Sequence, residues 1–271
     1  MGRNFARSFV LVIMLLIVGT CKAAGPGISE KSEIIPVYAE FLLGGRLNGE
    51  WVEAEKIADK LIASQTWKAF AFDRQLPDQQ GGMPRREEGP GEYWDITFPD
   101  AGEGGEVILR VASDKAAMPR KPRLQSGGLE TYEKIVAGYL KKNGITSAPK
   151  LRQVIRVDLD GDGSEEVFIV ADNVDATVPV TVANTYSLVL FRCLKNGKVE
   201  TTALRENYNH EGIEGMADSP NAYKVSFVVD LDGNGTMEVI IYGRYYEGFW
   251  YEIHEFSGGV LKKVFSEGLG A

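Results

Sequence analysis

Cysteine and histidine are nearly absent from this chain of 271 residues, which has two of each. The cysteines are Cys21 and Cys193, and the histidines are His210 and His254. Neither histidine has a partner at metal-ligand spacing, which argues against a zinc or iron site. Cys193 lies in the apolar stretch LVLFRCL, a setting typical of a buried cysteine that acts as a small hydrophobic side chain.

Long apolar runs are also lacking, and no transmembrane span is predicted. The run Phe9–Val18 has ten residues, too few to cross a bilayer. Arg3 and Arg7 precede it and small residues follow, so we predict that residues 1–23 are a signal peptide cleaved after Ala23. The protein would then be secreted or periplasmic.

Cys21 offers an alternative fate for this N-terminal segment. The stretch Val18-Gly19-Thr20-Cys21 resembles a bacterial lipobox, so a lipid anchor at Cys21 is the competing hypothesis. Cleavage after Ala23 would leave Cys193 as the one remaining cysteine, without a partner for an intramolecular disulfide.

Positively charged residues are fewer than negatively charged ones. The chain has 30 Lys+Arg against 38 Asp+Glu, a net charge of −8. The predicted signal peptide carries three cations and no acid, so the mature chain would hold 27 Lys+Arg against 38 Asp+Glu, a net charge of −11. Such a surface argues against binding to nucleic acid or to an anionic membrane. The nucleophile elbow, the phosphate-binding loop and the dinucleotide fingerprint are absent as well.

What the chain does have is an acidic, glycine-containing loop that occurs twice, 72 residues apart. The two copies lie in RQVIRVDLDGDGSEEVFIV, at 152–170, and in KVSFVVDLDGNGTMEVIIY, at 224–242. Oxygen ligands at loop positions 1, 3 and 5 suit a hard cation such as Ca²⁺. Gly163 and Gly235 stand at position 6, where the backbone must turn sharply around the ion.

The remaining ligands of a Ca²⁺ site follow in the same frame. Position 7 would offer a backbone carbonyl, and position 9 a longer carboxylate. The predicted ligands are Asp158, Asp160, Asp162, Ser164 and Glu166 in the first loop, and Asp230, Asp232, Asn234, Thr236 and Glu238 in the second. The alternative is a pair of ordinary Asp/Gly-rich turns, but a turn does not require so many mutually repelling carboxylates.

The loops differ from an EF-hand after their first six residues. Position 12, a bidentate glutamate in an EF-hand, is Ile169 in the first loop and Ile241 in the second. The flanks are short runs of β-branched and aromatic residues, which predict strands rather than helices. Each loop is therefore expected to join two antiparallel strands.

This combination resembles the calcium loops of FG-GAP and VCBS-type repeats, which occur in integrin-like β-propellers and in secreted bacterial proteins. The resemblance covers the two loops and their strands. It implies that Ca²⁺ is bound between two strands of a propeller blade by Asp158, Asp160, Asp162 and Glu166, and by Asp230, Asp232, Asn234 and Glu238.

The rest of the chain predicts a mainly β protein with one or two helices. Residues 24–125 form an N-terminal β-rich region with an Asn48-Gly49 hairpin turn, a short helix over 53–64 and a long mobile loop over 74–92. Residues 126–271 hold a helix, Leu129–Asn143, followed by two four-strand meanders that carry the loops. The helix should pack against the sheet of the first loop.

The two meanders have the size and strand order of β-propeller blades, and a β-sandwich or one curved sheet is the alternative. The predicted strands are 152–158, 165–171, 184–194 and 198–204 in the first meander, and 224–230, 237–243, 249–256 and 260–265 in the second.

Three further features have competing interpretations. The basic residues Arg120, Lys121 and Arg123 fit a solvated connector better than a binding patch. His254, with Glu252 beside it on one strand face, fits an exposed strand better than a catalytic pair. The aromatic residues of 242–251 fit core packing, with a sugar-binding platform as the alternative.

The sequence thus predicts a secreted or periplasmic calcium-binding β protein that is not an enzyme and binds a protein or glycan partner. The alternative is a calcium-dependent hydrolase acting on a cell-surface polymer. Neither the partner nor a reaction follows from the residues.

Overall fold

The computed structural model describes residues 33–89, 91–99, 105–214 and 219–270. Nearly all regular structure in these ranges is antiparallel β-sheet, as predicted. None of the described sheets closes into a barrel. The predicted signal peptide and Cys21 lie outside the described residues, and no helix in the described part is long and apolar enough to cross a membrane.

The N-terminal region contains eight strands, β1 Ile34–Tyr38, β2 Leu42–Leu47, β3 Glu50–Glu53, β4 Gln65–Phe70, β5 Gln75–Gly81, β6 Arg85–Gly89, β7 Gly91–Asp95 and β8 Leu109–Val111, in its described residues. Six of them form a sheet in the order β3-β2-β1-β8-β4-β5, and β6 and β7 form a separate hairpin. Asn48 and Gly49 both have positive φ, 52° and 87°, and connect β2 to β3. The predicted hairpin turn is confirmed.

The predicted helix over 53–64 is wrong in type. The segment forms two 3-10 helices, Ala54–Lys56 and Ala58–Lys60, whose ends are closed by bonds from Ile57 N to Ala54 O and from Leu61 N to Ala58 O. Four residues of the predicted apolar stripe are buried, Ala54, Ile57, Ala58 and Leu61, but its fifth residue, Ile62, is 67% exposed. A segment this short gains too few hydrogen bonds to offset α-helix nucleation, so tighter turns replace the helix.

The predicted loop over 74–92 is also wrong, since β5, β6 and the first two residues of β7 occupy most of it. Its side chains are mainly polar and exposed, so the apolar alternation that indicates a strand is missing. Pro77 is tolerated because β5 is an edge strand of the six-stranded sheet.

The one α-helix among the described residues, α1 (Glu130–Lys142), confirms the predicted helix. It ends at Asn143, and Gly144 follows with a φ of 71°, the left-handed stop that the sequence predicted. Its buried residues Tyr132, Val136 and Leu140 pack on Val154, Ile169 and other residues of the sheet that carries the first loop. This is the predicted packing.

Both four-strand meanders are present. Their strands are β9 Arg123–Leu124, β10 Leu151–Val157, β11 Glu166–Asp172, β13 Thr185–Lys195, β14 Lys198–Asn209, β16 Ala222–Val229, β17 Glu238–Tyr245, β18 Gly248–Ser257 and β19 Val260–Gly270. The first sheet has the order β14-β13-β11-β10-β9, and the second has the order β16-β17-β18-β19. A two-residue pair, β12 Val180–Thr181 with β15 Ile213–Glu214, lies apart from them.

The sheets stack face to face, with the second meander as the middle layer. One face of it contributes Val239 and Ile241 to a core shared with Ile155 and Phe168 of the first meander. Its other face contributes Val229 and residues of β17 and β18 to a core shared with the six-stranded sheet. Burial on both faces explains why its strands are so apolar, and it fixes the second loop between the two neighbouring sheets.

Candidate metal centre

The two acidic loops occupy equivalent places, each between the first two strands of a meander. The first connects β10 to β11 and the second connects β16 to β17. Each is closed by the final pair of its ladder, Val157 with Glu166 and Val229 with Glu238. The predicted strand–loop–strand setting is therefore what the chain folds into.

The first loop brings three carboxylates together. Asp158, Asp160 and Asp162 each present an oxygen atom, and these oxygens lie within 4.8 Å of one another. Backbone amides hold the first of them, since Gly161 N donates to Asp158 Oδ1 at 2.7 Å and Gly163 N donates to Asp158 Oδ2 at 3.1 Å. Each carboxylate oxygen retains acceptor capacity beyond one such bond, which a cation can use.

The second loop repeats these hydrogen bonds. Gly233 N donates to Asp230 Oδ1 at 2.7 Å, and Gly235 N donates to Asp230 Oδ2 at 2.8 Å. Asn234 takes the place of the third aspartate, with its Oδ1 accepting from Thr236 N at 2.7 Å.

The corresponding bond in the first loop runs from Ser164 N to Asp162 Oδ1 at 2.6 Å. Ser164 and Thr236 therefore end their loops in the same way. The liganding role of their carbonyls remains a prediction.

Glycines give the two loops one backbone shape. Gly163 and Gly235, at position 6, have φ of 88° and 89°, and Gly161 and Gly233, at position 4, have φ of 80° and 76°. A side chain is disfavoured at such angles in every L-residue. A Cβ atom on Gly163 or Gly235 would touch nothing within 4 Å, so the requirement for glycine at position 6 is conformational.

The position-9 glutamates tie each loop back to its start. Glu166 Oε2 accepts from Leu159 N at 2.9 Å, and Glu238 Oε2 accepts from Leu231 N at 2.8 Å. Both glutamates are buried, 4% and 3% exposed. Among the described residues, the group of converging acidic oxygens comprises the three aspartates of the first loop and does not include Glu166.

Burial disfavours the charged form of both glutamates. It raises the pKa of Glu166 to about 7, with Asp160 and Asp162 adding to the shift, and it raises the pKa of Glu238 to about 8, with Asp232 and Asp230 adding to it. Backbone amides oppose the shift without cancelling it. Several carboxylates so close together and partly desolvated are an arrangement that a bound cation stabilises.

The loops differ in their neighbours. In the second, the guanidinium of Arg46 forms an ion pair with Asp232. The pKa of Lys115 is raised mainly by its hydrogen bond to Glu33 and the charge of Glu33, and the charge of Asp232 adds to the shift. Within the described ranges, no lysine or arginine forms an ion pair with Asp158, Asp160 or Asp162. The carboxylates of the first loop are therefore the more negative cluster, because no lysine or arginine of the described residues forms an ion pair with its three aspartates.

Contacts join the two loops to each other. Arg120 donates from Nη2 to Leu159 O at 2.8 Å and to Gly235 O at 2.6 Å, so its guanidinium spans both loops. Met237 N donates to Leu159 O at 2.9 Å, and Ala117 pairs with Asp230 through two backbone bonds. The segment that contains Arg120 thus fixes the spacing of the loops.

Sequence reasoning missed two residues near the site. Arg120 was assigned to a solvated connector, which is wrong, because it contacts loop carbonyls of residues 39 and 115 positions away. Arg46 contacts Asp232 across 186 positions. No local spacing or periodicity links either arginine to its loop, so the sequence held no signal for them.

The prediction that Glu252 and His254 lie on an exposed strand is wrong. Glu252 and His254 are buried, 3% and 2% exposed, and not on an exposed strand as predicted. Arg205 of β14 donates to Glu252 Oε1 at 3.0 Å, and His254 Nε2 lies 3.2 Å from Glu252 Oε2. The pattern of alternation was correct, but this face of β18 lies against the first meander.

The aromatic stretch divides between core and surface. Tyr251 is buried, Tyr242 and Phe249 pack partly buried against the same core, and Tyr246 is 45% exposed. Ring centroids of Tyr242 and Tyr251 lie 5.3 Å apart. Core packing, the favoured interpretation, therefore accounts for most of these rings.

Comparison with known proteins gives no relative. No protein-family model, curated protein or solved structure matches this chain.

Proposed function

We propose that this protein is a secreted or periplasmic calcium-binding β protein whose two loops each hold one Ca²⁺ ion as a structural element. The observation that carries the proposal is the equivalence of the loops: amides three and five residues after the first aspartate donate to its two oxygens in both. An ordinary turn does not need this set of side chains, whereas a Ca²⁺ loop takes oxygen ligands at positions 1, 3 and 5 and a glycine at position 6.

The position of the loops supports a structural role for the metal. Each loop joins adjacent strands, and Arg120 and Met237 connect the two loops. An ion in either loop would be surrounded by ligands of its own hairpin, which stabilises the fold rather than exposing the ion to a substrate. The partner, a protein or a glycan, would then bind elsewhere on the surface.

We propose further that both loops are calcium loops of the FG-GAP or VCBS type. FG-GAP and VCBS-type repeats place a D-x-D-x-D-G loop between two strands, and both loops of this chain lie between antiparallel strands. This chain departs from the family pattern at position 9, where it has glutamate. Each of these glutamates accepts a hydrogen bond from an amide at the start of its own loop.

Calorimetry tests the proposal. Titration of Ca²⁺ into the mature chain is expected to reveal two sites, because each loop carries its own set of proposed oxygen ligands. Asp158→Ala and Asp230→Ala should each remove one site, and together both. Asp59→Asn, an exposed aspartate outside the loops, is the control and should leave two sites. Absence of heat at millimolar Ca²⁺ in the unchanged protein contradicts the proposal.

The first loop is expected to bind Ca²⁺ more tightly than the second. It offers an aspartate where the second offers Asn234, and the second also has Arg46 paired to Asp232. Affinity for Ca²⁺ rises with ligand charge, so Asn234→Asp and Arg46→Gln should each tighten the second loop and reduce the difference in Kd between the loops. The measurement is calorimetry on Asp230→Ala and Asp158→Ala, which isolate the two loops. A tighter second loop would show that rigidity, not charge, sets affinity.

A further inference from the structure

A cavity of about 280 Å³ lies between the six-stranded sheet and the second meander, away from both acidic loops. Its floor contains the buried side chains of Ser226, Phe227 and Tyr251, and Phe72 and Tyr242 form partly buried walls. The volume is close to the lower end of the range of about 300–1,000 Å³ typical of ligand sites. It suits one small molecule or one unit of a polymer.

A β-bulge directs Ser226 into this cavity. Val225 pairs with Ile241 and Phe227 pairs with Ile240, so Ser226 is an extra residue without a partner in the ladder. Regular alternation would place Ser226 and Phe227 on opposite faces, but both line the cavity. Bulges commonly re-aim a side chain beside a functional site.

Two hydroxyl groups in the cavity have no hydrogen-bond partner among the described residues. Ser226 is 8% exposed, and its Oγ forms no hydrogen bond there. The hydroxyl of Tyr242, whose ring is half-buried, forms none either, and burial raises its pKa. Neither oxygen is among the fully buried polar atoms that lack a partner, so both are accessible from the cavity and can donate to or accept from a ligand.

Charged groups at the rim complete the lining. Glu40 accepts a hydrogen bond from Tyr251 Oη at 2.7 Å, which fixes its carboxylate beside the aromatic floor. Arg74 donates to the Glu106 carboxylate at 2.7 Å, and Lys224 lies on β16, two residues before Ser226. The rim thus carries both acceptors and donors, without an excess that would select a strongly charged ligand.

We propose that this cavity binds a single saccharide unit of a glycan. A sugar has C–H faces that pack on aromatic rings and hydroxyls that pair with carboxylates and with free protein hydroxyls, and this lining offers all three. The inference deepens the partner-binding half of the proposed function, on which it rests, and does not depend on the metal.

The experiment uses the mature chain and a panel of methyl glycosides of glucose, galactose, mannose and N-acetylglucosamine. Binding is measured by saturation-transfer NMR and titration, with and without EDTA. At least one glycoside is expected to bind. Ser226→Ala and Tyr242→Phe, which each delete one hydroxyl, should weaken its binding about 3- to 10-fold. Tyr246→Phe deletes an exposed hydroxyl outside the cavity and should change nothing.

Two results overturn the inference: no signal from any glycoside, or binding that Ser226→Ala and Tyr242→Phe leave unchanged. Thermal melts confirm that each variant is folded, so weaker binding is not a consequence of unfolding. If calorimetry detects Ca²⁺ binding but no glycoside gives a signal, the saccharide site is rejected and the calcium sites are kept. Glycoside binding without heat from Ca²⁺ removes the metal sites alone.

Discussion

Removal of calcium with EDTA is expected to lower the melting temperature of the mature protein by roughly 6–12 °C. On the proposed function, Ca²⁺ binds the folded loops and not the unfolded chain, and in the first loop three carboxylates converge. A site with a Kd of about 0.1 mM at about 1 mM Ca²⁺ adds roughly 1.4 kcal/mol to the free energy of unfolding, so two sites add about 3 kcal/mol. This is a large part of the usual margin of about 5–15 kcal/mol.

Three melts, in EDTA, Mg²⁺ and Ca²⁺, measure this effect. Mg²⁺ should substitute poorly because it demands a smaller, regular octahedron of ligands. Hydrogen exchange in EDTA should quicken first over residues 150–270, which carry both loops. The Asp158→Asn/Asp230→Asn double variant is the control and should melt at the same temperature with or without Ca²⁺. Coincident melts of the unchanged protein would contradict a structural role for the metal.

Glu252→Gln is expected to lower the free energy of unfolding by about 3 kcal/mol, independently of calcium. Glu252 is the shared acceptor of Arg205, Trp250 and His254 between the two meanders. Removing its charge leaves the half-buried guanidinium of Arg205 uncompensated, and breaking one side of a buried ion pair is costly. Chemical denaturation in EDTA provides the measurement.

Glu255→Gln, on the opposite face of the same strand, is the matched control. Glu255 is 36% exposed and accepts from Trp51 Nε1, with Arg46 4.0 Å away. An exposed pair of this kind contributes about 0–1 kcal/mol. If the two variants destabilise the protein equally, the buried network has no special role.

The Glu252 effect should depend on pH. Burial alone would raise the pKa of Glu252, but hydrogen bonds from His254, Arg205 and Trp250 outweigh it and hold the pKa at about 2, below its ordinary value of 4.5. A carboxylate with a lowered folded pKa contributes stability above the unfolded pKa and loses it as the pH falls toward the folded one. The difference between Glu252→Gln and the unchanged protein should therefore shrink from about pH 5 downward.

Apolar runs predicted the inner strands of the fold well. The first strands of both meanders, β10 and β16, and the buried strands β11 and β17 lie close to the predicted ranges, because burial on both faces produces unbroken β-branched runs. The edge strands β14 and β19 continue further than predicted, to Asn209 and Gly270. Their polar ends have no hydrophobic signal and are held by backbone pairing to the neighbouring strand.

The acidic loops could be predicted because all their proposed ligands lie within nine consecutive residues. The features that distinguish the loops could not. Arg46 at Asp232, Arg120 across both loops and Arg205 at Glu252 are contacts between distant segments, and they follow from sheet stacking. The bulge that turns Ser226 into its cavity likewise depends on strand register, which the run KVSFVV does not reveal.

A crystal structure of the mature protein grown with Ca²⁺ tests the central claim most directly. We expect one anomalous peak in each loop, about 2.3–2.6 Å from oxygens of Asp158, Asp160 and Asp162 in the first and of Asp230, Asp232 and Asn234 in the second. The carbonyls of Ser164 and Thr236 should complete the coordination. Ordered loops without a peak at either position, at millimolar Ca²⁺, would show that they are turns and not metal sites.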